Sequence, residues 1–162
     1  MTIQINRRTV IIGMAALGAS NFSVQAATAH EVHMYTKHPD NDKLRNVFDP
    51  LIQVIEAGDS VRFLPTQKGH NSVSTKGMIP EGTEPWKGKI NQEIAVTFAK
   101  PGVYGYQCQP HVGLGMVGLI IVKGEGMTDN LEAAKAARQR GKAKKVWEEI
   151  WAKVEADGLL TS

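Results

Sequence analysis

The stretch Val103-Tyr104-Gly105-Tyr106-Gln107-Cys108-Gln109-Pro110-His111-Val112-Gly113-Leu114-Gly115-Met116-Val117-Gly118-Leu119-Ile120-Ile121-Val122 reads as strand, loop, strand. Val103 to Cys108 follows the turn Lys100-Pro101-Gly102 and is rich in residues that favour strands. Val117 to Val122 is a nearly continuous apolar run, which suits a strand buried on both faces. Cys108 to Met116 is then a tight loop at one end of a sheet.

Working outward, residues 31 to about 123 show short β stretches bounded by turn residues. Glu31 to Thr36 is one, and Leu51 to Glu56 stops at Ala57-Gly58-Asp59. Ser60 to Leu64 stops at Pro65, and Ile90 to Phe98 places Ile90, Ile94, Val96 and Phe98 on one face. Such strands predict an antiparallel sandwich, in which Greek-key connections are usual. Between Gly69 and Lys89 the patterning stops, predicting a long ordered loop. From Thr128 the chain turns helical. Thr128 or Asp129 is placed to cap a helix over Asn130 to Arg140. Gly141 breaks it, and a second helix follows over about Lys142 to Ala156. Val146, Ile150 and Val154 form an apolar stripe beside Trp147 and Trp151. Both tryptophans are expected to pack in the core.

The first residues read as an export signal. Arg7 and Arg8 precede a short apolar run, Val10 to Ala19, and small residues follow at Ala26, Ala27 and Ala29. The run falls short of the roughly 20 apolar residues a bilayer span requires. Cleavage fits after Ala26 or after Ala29, and the arginine pair partly matches a twin-arginine signal. The expected organisation is an export segment over 1–29, a β-sandwich over 30–126 that carries the 108–116 loop, and a helical extension over 127–162. Removing residues 1–29 takes away Arg7 and Arg8 and no acid, which lowers the formal net charge from +3 to +1. No basic stripe marks a nucleic-acid binder. The chain has one cysteine, so no internal disulfide is possible. A lone thiol is unusual in an oxidising, disulfide-favouring compartment, and a metal would protect it.

The 108–116 loop supplies a thiolate, an imidazole and a thioether, and His70 supplies a second imidazole from an earlier loop. Two histidines, one cysteine and a weak axial methionine are the type 1 copper pattern. Structural zinc normally recruits several cysteines. Each residue alone has a plainer reading: His70 as a surface histidine, Met116 and Cys108 as apolar filler. Their joint occurrence at one end of a sandwich favours one copper ion held by His70, Cys108, His111 and Met116. No coordination position is left open for water or substrate, which argues against an enzyme. His30, His33 and His38 lack this context and read as a terminal residue, a strand-packed residue and a loop residue.

With these residues in view, the chain resembles the pseudoazurins, blue copper proteins of the cupredoxin family. The specific segments are Lys68-Gly69-His70-Asn71, Met78-Ile79-Pro80-Glu81-Gly82 and Cys108 through Met116, and the two C-terminal helices are shared as well. The resemblance implies a mainly β, eight-stranded Greek-key cupredoxin sandwich with copper near one end. It implies that Asn71 steadies the ligand loop and that Pro110, lacking an N–H, bears on redox tuning. It places electron transfer at the edge of His111, through an apolar patch that includes Leu114. Lys37, Lys68 and Lys87 fall at positions of a docking ring for acidic partners. Gln107 stands where the family commonly has lysine, and the Tyr35 to Asp49 stretch is about three residues longer, with Asp40 and Asp42 in it. The implied role is a periplasmic, monomeric electron carrier forming transient complexes. A c-type cytochrome would be the donor, and denitrification reductases such as copper nitrite reductase the acceptors. The competing role is a copper storage or delivery module, against which the absence of a methionine cluster counts.

Overall fold

The computed structural model describes residues 26–161. The expected export segment lies almost wholly outside the described residues. Eight strands run in chain order as β1 Ala29–Lys37, β2 Arg45–Asp49, β3 Ile52–Glu56, β4 Ser60–Leu64, β5 Val73–Ser74, β6 Ile94–Thr97, β7 Gly102–Gln107 and β8 Val117–Lys123. Two helices follow, α1 Leu131–Ala136 and α2 Ala143–Ala156. The strands form two four-stranded sheets, ordered β2-β1-β4-β6 and β3-β8-β7-β5. The chain crosses between them repeatedly, giving the expected Greek-key sandwich.

Alternation in the strands builds the core. Val32 and Met34 of β1, Phe48 of β2, and Val61 and Phe63 of β4 meet Tyr104 and Tyr106 of β7 and Ile120 and Val122 of β8 between the sheets. The other face of the second sheet is also covered. Val103, Val117, Leu119 and Ile121 pack on Ala143, Trp147, Ile150 and Val154 of α2. Double coverage accounts for the unbroken apolar run of β8. Trp147 is buried there and Trp151 stacks on it at 5.5 Å, half-buried at the rim.

Several details depart from the sequence reading. The sandwich is not purely antiparallel, because β1 pairs with β4 and β3 with β8 in parallel. In the first case the intervening β2 and β3 form the crossover that parallel neighbours require. Arg45–Asp49 is a strand that the pattern concealed, since Asn46 sits at φ 51 and breaks the alternation. The expected strand from Ile90 begins only at Ile94, because Asn91 turns at φ 62 and leaves Ile90 exposed. Helix α1 stops at Ala136, not at Arg140, as Ala137 is extended. Neither Thr128 nor Asp129 caps it. Asn130 takes the N-cap position, yet its side chain pairs with the Val103 backbone, accepting from N–H at 3.0 Å and donating to C=O at 2.8 Å. That bond ties the helical segment to β7.

Candidate metal centre

His70 follows the exit of β4, and Cys108, His111 and Met116 occupy the β7–β8 connection. The sandwich brings the two loops to one end. The ligand atoms of His70, Cys108 and His111 all lie within 4.8 Å of one another. Cys108 Sγ is 3.7 Å from His70 Nδ1 and 3.5 Å from His111 Nδ1, and the two Nδ1 atoms are 3.1 Å apart. His70, Cys108 and Met116 are fully buried, whereas His111 is partly exposed. The Cys108 N–H donates to Met116 C=O at 3.0 Å and the Met116 N–H to His111 C=O at 3.2 Å, so the loop folds back on itself. A single 3₁₀ turn, Val112–Leu114, lies between, and Gly115 at φ 96 closes it in the left-handed region.

Hydrogen bonds fix this arrangement from outside. Asn71 is buried and bridges both loops: its Nδ2 donates to Gly88 C=O at 2.9 Å, and its Oδ1 accepts the Gln109 N–H at 2.9 Å. Two partners escaped the sequence reading. Thr36 Oγ1 lies 2.8 Å from His70 Nε2, which leaves Nδ1 to face the cluster. Its signal was the two-residue period of β1, which puts Thr36 on the same side as Val32 and Met34, at the exposed end of the strand. Asn91 accepts the Gly69 N–H on Oδ1 at 2.6 Å and donates its own N–H to His70 C=O at 2.9 Å, clamping the His70 backbone. The remaining histidines stay away from the cluster. His30 is no loose terminal residue, since its Nε2 lies 2.9 Å from the Asp59 carboxylate. His33 bonds Thr66, and His38 approaches Asp49. Lys37, Lys68, Lys87, Pro110 and Leu114 are exposed.

The copper binding proteins of the plastocyanin/azurin family match residues 32–123. Pseudoazurin of Paracoccus pantotrophus is 43% identical over 131 residues, covering 81% of this chain and 84% of that protein. The chain belongs to the pseudoazurin family of blue copper proteins. A putative pseudoazurin of Rhizobium leguminosarum bv. viciae is 44% identical, covering 80% of this chain and 81% of that one. A Sinorhizobium pseudoazurin structure superposes with a TM-score of 0.73 at 47% identity, over 79% of this chain and 97% of that one. Pseudoazurins are electron-transfer proteins and not enzymes, and their cofactor is one type 1 copper ion.

The residues present fit that ion. Three soft or borderline donor atoms point at one another, an arrangement that costs free energy unless a cation or proton sits among them. Burial, then repulsion from His111, pulls His70 down to about 4, so its imidazole is neutral and able to donate a lone pair at neutral pH. Burial pushes the Cys108 thiol up, partly offset by the backbone N–H groups of Asn71 and His111. The metal-free chain therefore holds a thiol, and binding must expel its proton. Copper(I) affinity should accordingly fall by at least about one decade per pH unit as pH drops below neutrality. Below about 4 the fall should steepen, because His70 then takes up a proton as well. Competition with a chelator whose own affinity is corrected for pH checks this, and an affinity flat with pH would contradict it.

Proposed function

We propose that His70, Cys108, His111 and Met116 would hold the copper ion of a periplasmic electron carrier, with the Met116 thioether as the weakest donor. The carrying observation is the convergence of two imidazoles and the one thiol of the chain beneath a partly exposed His111. Bound copper supplies a one-electron couple. The protein's part is to hold the donors rigidly: Asn71 and Asn91 lock the loop backbones, and Thr36 orients His70. Little rearrangement is then needed when the charge at the site changes. Pro110, with no N–H to offer, keeps one further donor away from the sulfur side.

Residues 1–29 form the cleaved export segment in this reading, residues 30–126 the copper domain and residues 127–162 its helical extension. No helix among the described residues is long and apolar enough to cross a membrane. Electrons pass at the His111 edge, where Leu114 is 53% exposed. In this reading exposed Lys37, Lys68 and Lys87 serve as the docking ring, and none forms an ion pair among the described residues. The α1–α2 connection adds exposed Lys142, whose backbone N–H reaches Gly113, and exposed Arg140 two residues before it. The surface suits an acidic redox partner, with a c-type cytochrome as donor and a copper nitrite reductase as acceptor, met by a monomer in transient complexes. Exposed Asp40 and Asp42, together with Gln107, weaken the positive field relative to a full lysine ring. Stopped-flow reduction of a copper nitrite reductase should show an association rate falling about tenfold or more as salt rises from low to physiological strength and beyond. A rate independent of salt would remove the electrostatic docking.

A further inference from the structure

We infer that the start of α2, with the two residues before it, is a positioning element for the ligand loop, with Gly141, Lys142 and Val146 holding Gly113 to Gly115 in place between His111 and Met116. This rests on the ligand reading above. The loop is fastened to the sandwich on one side through the Cys108 N–H on Met116 C=O. On its other side it meets the start of α2. The Lys142 N–H donates to Gly113 C=O at 3.2 Å. Gly141, at φ +58, lies so close that an added Cβ would fall 2.8 Å from Gly113 O and 3.4 Å from Gly113 Cα. An added Cβ at Gly115 would meet Val146 Cγ2 at 3.0 Å and Lys142 Cβ at 3.5 Å. Val112, next to His111, packs into the same cluster as Trp147 and Val146. Gly141 and Gly115 thus let the two segments approach, and Val146 fills the remaining gap.

A helix that merely covered the sheet would need none of this. The contacts with β8 through Trp147, Ile150 and Val154 would suffice for coverage. The additional bond at the N-terminal end reaches the segment that sets the distance between the third and fourth donors. That assigns to the helical extension a part in the rigidity of the site.

The test compares Val146→Ala with Val154→Ala, a buried position on the same helix away from the loop. In the metal-free full chain, hydrogen exchange is followed at the amides of Gly115, Met116 and Lys142, each of which has a backbone partner in this region. Val146→Ala should speed exchange at these amides by about tenfold while leaving β1 and β4 unchanged. The copper-loaded variant should show an altered ratio of its visible absorption bands. Val154→Ala should lower global stability and leave both readouts as in the parent. Gly141→Ala should act like Val146→Ala and more strongly. Loop amides unchanged in Val146→Ala, or equally accelerated in Val154→Ala, would overturn the inference. Exchange in the metal-free chain does not involve the ion, so a wrong ligand set and a wrong positioning element give separable results.

Discussion

Cys108→Ser should abolish the intense visible absorption of the copper-loaded, oxidised protein. The colour of such a site comes from charge transfer between a thiolate and copper(II), and Cys108 is the chain's one thiol. Its Sγ lies 3.5 and 3.7 Å from the two imidazole nitrogens, so no other sulfur ligand of that kind can substitute. A serine hydroxyl is a harder donor and does not ionise at neutral pH, so copper(I) affinity should drop together with the colour. The variant should still fold, since the change is nearly isosteric and its neighbours Asn71 and His111 remain. Far-ultraviolet circular dichroism of the metal-free variant should match the parent. A variant that stays blue would remove Cys108 from the site.

The second large effect concerns the sandwich and not the ion. Tyr106 and Gly118 face each other across β7 and β8. A Cβ at Gly118 would fall 2.4 Å from Tyr106 Cζ and 2.5 Å from its Oη. The ring cannot swing aside, because Phe48 and Phe63 pack edge-on against it at 4.7 and 5.0 Å. Gly118→Ala should therefore cost about 3 kcal/mol, at the upper end of ordinary overpacking. Denaturant unfolding of the metal-free protein measures this. Adding Tyr106→Val should recover part of the loss, so that the double variant is more stable than the sum of the single changes implies. Simple additivity would mean that the two residues do not clash as described.

The clustering of His70, Cys108 and His111 was legible because three of the four proposed donors lie within one loop and obey a known donor chemistry. His70 was legible through its neighbours Gly69 and Asn71. The supporting bonds were less so. Thr36 follows from strand period once β1 is placed, but Asn91 works through a left-handed turn that no alternation announces. The approach of α2 to the ligand loop joins segments that are distant in sequence, through glycines whose spacing carries no local signal. In the fold, β1, β4, β7 and β8 could be read from their apolar alternation or continuity. Strand direction could not, because alternation is the same in parallel and antiparallel pairs. β5, with only Val73 and Ser74, is too short to show a pattern. The end of α1 was misread because Lys135 to Arg140 are good helix formers, while tertiary contacts such as Gln139 on Met78 pull the chain out of the helix.

X-ray absorption at the copper edge, recorded on the loaded protein in both oxidation states, tests the central claim most directly. A single short sulfur neighbour and two nitrogen neighbours, at nearly the same distances after reduction, is the predicted result. A shell of nitrogen and oxygen alone, or one that loses or gains a neighbour on reduction, would contradict it.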